Sequence, residues 1–425
     1  MNDLGLHPAV AARTDSERLE AARASVRSDL TRTAALHLES CIHCGRCADA
    51  CPFFLASGDP RHTPALKFDP LRRIARAERS TYAIGGTGPV TLAELEAWQP
   101  LVYDACTMCG RCTLACPMAI DVASLVGIAR RALYAADLAP PDLAAVAERA
   151  HREGSPLGVT KAVLRERLEW IADEHEVEIP IDAPRADVML TLSSIEVMKY
   201  PESVAGMARI LARNALPWTI STSGYEATNF PMLAGAREWQ REATMKLVEA
   251  AAACGATTVL VPECGHAYSA LRWQGAEMAG RELAFRVLHA SEFIAECIAK
   301  GRLVVHPAAG SVAFHDPCQV SRRGGATGAP RAVLDALGLD ERPVEPGGDL
   351  GGCCGGGGGV SANRRADSLR YATTAIRLRQ LGAAGAGSVV TSCANCRQSF
   401  DDFTAHGGSG PRVGSLVELV AANLA

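Results

Sequence analysis

Cysteine is the residue that could do chemistry here, and its spacing is regular. Cys41, Cys44, Cys47 and Cys51 follow a C-x2-C-x2-C-x3-C pattern closed by Pro52, and Cys106, Cys109, Cys112 and Cys116 repeat it before Pro117. Far downstream stand Cys318, the adjacent pair Cys353 and Cys354 inside the run GGCCGGGGGV (351–360), and Cys393 with Cys396. Disulfides are expected in small exported chains. The opening MNDLGLHPAVAARTDSERLEAARASVRSDL is polar and mixed in charge, unlike a signal peptide. Tightly spaced thiols in such a chain read as ligands of a soft metal or as redox groups.

The two early runs carry the spacing of bacterial ferredoxins, in which three thiolates of one run grip one cubane and the fourth ligates the other. The expected sets are Cys41, Cys44, Cys47 and Cys116 for the first cluster, and Cys106, Cys109, Cys112 and Cys51 for the second. Gly45 and Gly110 let the backbone pass close to the sulfides, and Pro52 and Pro117 are expected to open the following helices. Zinc would leave the third and fourth cysteines and the proline without a purpose. Between the runs, LRRIARAERS and LAELEAWQPLVYDAC read as helices around a turn, AIGGTGP. Arg61, Lys67, Arg72, Arg73, Arg76 and Arg79 gather there. A solvated helix face is the plain reading of these charges, and a docking patch for an acidic redox partner is the sharper one.

Length and composition set the frame. A chain of 425 residues accommodates two or three domains, and 48% hydrophobic with 21% charged residues is ordinary for a globular protein. A net charge of −4 argues against nucleic-acid binding. The apolar runs fall short of the roughly 20 residues that cross a bilayer. The expected location is the cytoplasm, with peripheral attachment to the inner face of a membrane if a membrane partner is present.

Elements must bring the later cysteines together. From about Arg185 short β-rich runs alternate with helix-like stretches, which implies parallel sheets in an α/β fold. The runs also repeat: VMLTLSSIE with VAFHDPCQV, TTVLVPECGHA with SVVTSCANC, SEFIAECIAKG with GSLVELVAANL. The expected architecture is a helical extension (1–37), an α-helical ferredoxin domain (38–135), a helical linker (136–184) and two Rossmann-like lobes (185–305 and 306–425) related by that repeat. Each late cysteine then lies at the C-terminal end of a strand or in the loop that follows, where open α/β sheets bind ligands. The first lobe keeps only Cys264, with Ser194, Ser223 and Ala267 where other ligands would stand; whether Cys264 holds metal is open. Cys254 and Cys297 fit no pattern and read as core.

The arrangement C-x34-CC-x38-C-x2-C resembles the cysteine-rich CCG domain of heterodisulfide reductase B and D subunits. Two ferredoxin motifs followed by two such domains are similar to heterodisulfide reductase D. ESCIHCGRCADACPFFLASGDPR, YDACTMCGRCTLACPMAID, PECGHAYSALRW and CCGGGGG resemble DsrK-type subunits most closely. The resemblance implies a noncubane [4Fe-4S] cluster on Cys318, Cys353, Cys354, Cys393 and Cys396, beside the two cubanes. Gly355, Gly356 and Gly357 would bend the backbone and aim amides at the sulfurs.

The implied function is electron transfer between a membrane cytochrome b or quinone-reactive partner and a disulfide- or polysulfide-type substrate, which a small sulfur-carrier protein could present. His315, His266 and Glu263 are candidate proton donors, each with an equally available structural role. The competing reading is the iron–sulfur conduit of a glycolate- or lactate-type flavoprotein oxidase, with the flavin on another chain.

Overall fold

The computed structural model describes residues 13–79 and 89–425; the turn at 83–89 lies almost wholly outside them. Helices form the first part, and eight short strands build two sheets in the second. The strands are β1 (Val188–Leu190), β2 (Trp218–Thr219), β3 (Thr258–Val261), β4 (Arg286–His289), β5 (Ser311–His315), β6 (Asp340–Glu341), β7 (Ser388–Thr391) and β8 (Val413–Ser415). The orders are β2-β1-β3-β4 and β6-β5-β7-β8, all parallel. Their central strands are almost wholly buried, as expected when helices cover both faces.

The helical part has one core. Leu71, Leu95, Trp98, Val126 and Leu133 fill it, and helix Asp15–Asp29 contributes Ala22 and Val26. The segment expected as an N-terminal extension thus packs into the ferredoxin region. The expected linker divides. Helix Pro141–Glu153 gives Leu143 and Ala147 to the helical core, whereas Leu164, Leu168 and Ile171 of helix Lys161–Glu174 join the core of the sheets.

That second core is shared between the lobes. Leu190, Val204 and Ile294 of the first pack with Phe314, Leu334 and Val417 of the second. At their seam, the buried Glu263 accepts from Ser203 (3.0 Å) and Ser415 (2.6 Å) and pairs with Arg397 (3.4 Å).

Candidate metal centres

Each ferredoxin-type run folds as a loop ending in a one-turn helix, Arg46–Ala50 or Arg111–Ala115. The loops share an unusual backbone: His43 (φ 53°) and Gly45 (φ 78°) in one, Met108 (φ 56°) and Gly110 (φ 74°) in the other. Positive φ at two alternate residues turns the chain around a point and directs its amides inward. Pro52 opens helix Pro52–Ser57 as expected. Pro117 does not: a turn follows it, and the next helix starts at Val122, capped by Asp121. Cys51, Cys106, Cys109 and Cys112 line one cavity, and Cys47 lies near Cys41 and Cys116. The last cysteine of the first run therefore sits among the first three of the second, and Cys116 lies beside Cys47 of the first.

Among the described residues, the basic side chains of the insert are each buried or ion-paired. Lys67 is wholly buried, with Nζ 3.5 Å from Cys51 Sγ and 2.5 Å from the Ala105 carbonyl. Arg72 is buried on the Leu38 carbonyl and Asp69, Arg73 binds Glu94, Arg76 binds Glu39, and Arg61 binds Asp59. Asp59 and Asp69 are near neighbours of their arginines in the chain, whereas helix packing brought Glu94 and Glu39 to Arg73 and Arg76. Arg79's side chain lies outside the described residues. What the first run exposes is Cys44 and the apolar Ile42.

In the second lobe, Cys318 follows β5, and Cys353 and Cys354 lie in the loop after β6. Cys393 caps helix Ala394–Ala405, whose first turn carries Cys396. All five thiols are buried and meet: Cys353 contacts Cys318 on one side, and Cys354 contacts Cys393 and Cys396 on the other. The Gly355 amide donates to Cys353 Sγ (3.3 Å), and the Gly356 amide bonds Cys354. Gly355 has φ 88°, and a Cβ there would lie 2.7 Å from Thr374 Oγ1. Gly358 (φ 61°) lies against another domain: its Cβ would meet the Thr107 backbone at 2.8 Å. So the glycines serve close approach of two chain segments as much as bending.

Electrostatics test whether metal fits. Burial, followed by the neighbouring Cys353 and Cys109, holds the Cys318 thiol well above its usual range. The bond to Cys353 and burial do the same to Cys109. So many crowded thiols ionise together only around a cation, and coordination deprotonates a thiol outright. Around them stand buried donors that find no acceptor among the described residues: Arg111 Nε, Arg322 Nε and Nη1, Arg377 Nη2 and His315 Nε2. Unsatisfied N–H groups ringing a sulfur cluster suit an anionic metal–sulfur centre.

The candidate acids separate. His315 Nδ1 accepts from Arg377 Nε (3.0 Å), so the neutral ring carries its proton on Nε2, and one ring nitrogen lies within 4.8 Å of Cys354 Sγ and Cys396 Sγ. His266 accepts from the Gly358 amide (3.2 Å) and bonds the Thr107 backbone, clamping the glycine loop to the ferredoxin loop. Burial lowers its pKa to about 4. Glu263's carboxyl is committed to the lobe seam described above. Cys254 and Cys297 are buried in apolar cores. Ser223 is exposed and bonded to Lys161 (2.9 Å), so it does not face Cys264; Thr228 does, with Oγ1 at 3.5 Å.

Sequence reasoning missed Arg130. Wholly buried, it donates to the carbonyls of Val102, Cys106 (2.7 Å), Leu233 (2.9 Å) and Gly358 (2.5 Å), tying three regions to one guanidinium. An arginine within an apolar helix was the available signal, a charge that burial tolerates only with partners.

Fold and site together define an iron–sulfur protein that binds [4Fe-4S] clusters. Residues 37–120 match the 4Fe-4S dicluster domain, and residues 312–401 match the cysteine-rich domain of the CCG family. The chain is related to the D subunits of heterodisulfide reductases and to Hdr-like iron–sulfur subunits. It is 25% identical to the D subunit of the dihydromethanophenazine:CoB--CoM heterodisulfide reductase of Methanosarcina barkeri, over 92% of this chain and 95% of that one. Identity is 24% to an Hdr-like menaquinol oxidoreductase iron-sulfur subunit 2 of Archaeoglobus fulgidus, covering 92% and 80%. It is 28% to a probable membrane-anchored ferredoxin of Chromohalobacter salexigens, covering 93% of this chain but 61% of that protein's length. Among the described residues no helix is long and apolar enough to cross a membrane.

Proposed function

We propose that this chain is the iron–sulfur subunit of a heterodisulfide-reductase-like complex. It would pass electrons between a membrane quinone or cytochrome b partner and a disulfide- or polysulfide-type substrate. Two cubanes would sit on Cys41, Cys44, Cys47 and Cys116 and on Cys51, Cys106, Cys109 and Cys112. A noncubane cluster would sit on Cys318, Cys353, Cys354, Cys393 and Cys396. The two lobes are read as copies of one repeat, which their equivalent strand order supports.

One observation carries the reading: the second ferredoxin loop touches the paired cysteines, with Cys109 bonded to Cys353 and Thr107 Oγ1 3.2 Å from Cys353 Sγ. An electron path needs no further carrier between them. The exposed Cys44 loop is the natural entry.

When bound, the noncubane cluster supplies electrons and open iron positions for sulfur. The chain's own residues do the rest. Gly355 and Gly356 amides donate to the paired sulfurs and favour the more reduced charge state. His315 keeps its proton on Nε2 while Arg377 holds Nδ1, with a ring nitrogen within 4.8 Å of the Cys354 and Cys396 sulfurs. Arg111 and Arg322 supply positive charge beside Cys109, and Arg111 also beside Cys353.

Paramagnetic resonance and iron analysis of anaerobically purified protein test the reading. After oxidation with a quinone in the presence of a thiol, wild type is expected to show a high-potential signal that Cys353→Ser loses while keeping the reduced-state cubane signals. Cubane signals alone in wild type would favour the conduit of a flavoprotein oxidase.

A further inference from the structure

Of the paired-cysteine pattern the first lobe carries only Cys264, and hydrogen-bonding groups surround it. Ser194 Oγ and N both donate to Glu226 Oε2, and Ser155 bonds Ser194 (2.6 Å). Glu226 Oε1 accepts from the Thr228 amide (2.8 Å), and the Thr228 hydroxyl also reaches the carboxyl. Thr228 Oγ1 in turn meets Cys264 Sγ at 3.5 Å.

Two cavities lie on either side of this chain of groups. The outer one, about 370 Å³ and open to solvent, is lined by Glu226, Thr228, Ser223, Lys161, His151 and Glu242. The inner one, about 30 Å³, is lined by Thr228, Cys264, His266, Ser193, Asn395 and Gly357. It has room for about one water among polar partners. Thr228 walls both. The inner cavity ends on the glycine loop beside the paired cysteines.

From this geometry we infer that Glu226, Thr228 and Cys264 form the proton-entry path to the cysteine-rich site. The inference rests on the sulfur-chemistry reading above. Reducing RS–SR′ breaks one S–S bond, consumes two electrons and two protons, and releases RSH and R′SH. The electrons come through the ferredoxin region from a quinol or redox-protein donor. The protons come from water in the outer cavity, through the Glu226 carboxyl and the Thr228 hydroxyl, past the Cys264 thiol and into the inner cavity. Glu226 regains its proton from the outer water. Thiol oxidation runs the path outward.

Glu226 suits the task. Burial raises its pKa to about 7, against the serine and threonine bonds that lower it. A group of that pKa exchanges protons in both directions near neutrality. The charged groups facing it or its cavity are Glu196 from the next helix, His151, Arg152 and Glu153 from helix Pro141–Glu153, Lys161, and Glu242 and Lys246 from helix Arg237–Cys254. Cys264 stays a neutral thiol, its pKa pushed up to about 12 by burial.

The test uses the full-length holo-protein, reduced methyl viologen as donor and inorganic tetrasulfide as acceptor. Glu226→Gln should slow turnover about tenfold at about pH 8, with unchanged cluster spectra and unchanged viologen-driven cluster reduction. Glu226→Asp should recover part of the rate, and Thr228→Ser should retain more of it than Thr228→Val. Independently, in a Glu196→Gln background that removes the neighbouring buried carboxyl, infrared difference spectra between about pH 6 and about pH 8 should contain a protonated-carboxyl band that Glu226→Gln abolishes. Wild-type turnover in Glu226→Gln with intact clusters, or a band that survives it, overturns the path. A wild type inert to tetrasulfide whose carboxyl band is still lost in Glu226→Gln defeats the sulfur reading and retains Glu226 as the exchangeable proton site.

Discussion

The Thr107 hydroxyl lies 3.2 Å from Cys353 Sγ, although 246 positions separate the two residues. One belongs to the loop of the second ferredoxin run and the other to the paired cysteines. This contact brings the two kinds of cysteine motif together.

Thr107→Val removes a hydrogen bond of about 1 kcal/mol to that sulfur. A donor to a thiolate stabilises the reduced, more negative state. The midpoint potential of the cysteine-rich centre should therefore fall by about 40 mV in a redox titration. Iron content and cubane spectra should not change.

Gly358→Ala places a Cβ 2.8 Å from the Thr107 backbone at a residue with φ 61°. The domains must separate or the backbone strain, at a cost of about 2 kcal/mol or more. Gly280→Ala, with φ 67° and open space around it, isolates the conformational part and should lose about 1 kcal/mol. Chemical denaturation compares the two. Only Gly358→Ala should also slow electron transfer between the cubanes and the cysteine-rich site.

Lys67 is buried against Cys51, and Cys51, Cys106 and Cys112 favour its charged form against the cost of burial. Lys67→Met removes a charge-assisted bond from that thiolate set. The centre proposed on Cys51, Cys106, Cys109 and Cys112 should drop by about 100 mV, read from the reduced-state resonance signal. The centre on Cys41, Cys44, Cys47 and Cys116 should shift much less.

Glu196 carries a pKa of about 8 in the folded protein, raised by burial first and then by Glu263. The reference value is 4.5. Between those values the folded state holds a proton that the unfolded chain has released, so stability falls as pH rises through this window. Glu196→Gln keeps the bond pattern to Ser193 and removes the titration. The variant should flatten the decline and be more stable than wild type by about 2 kcal/mol at about pH 8, measured by anaerobic urea unfolding.

The cysteine motifs were legible in the chain because they act over a few residues. A C-x2-C-x2-C run bends locally around one point, and His43 and Met108 repeat the same left-handed turn in both copies. The alternation of strand and helix likewise disclosed that Cys318, Cys353 and Cys393 would stand at strand C-terminal ends or in the loops that follow. Pro117 shows the limit of such reasoning, since the proline that starts a helix after Cys51 starts only a turn after Cys116.

Everything that depends on remote partners was decided by tertiary structure. The arginines of the insert became ion pairs, Lys67 went under the sulfur atoms, and Glu263 was taken by the lobe seam. The glycines after Cys354 were read as a bend for two thiols, yet Gly358 is there because Thr107 leaves no room for a side chain. The sequence by itself determined where the closely spaced cysteines stand, because a C-x2-C-x2-C run is a local property of the backbone. Which loop faces the paired cysteines, and which carboxyl stands at the lost site of the first lobe, follow from contacts between distant segments, and packing of the shared cores alone brings those together.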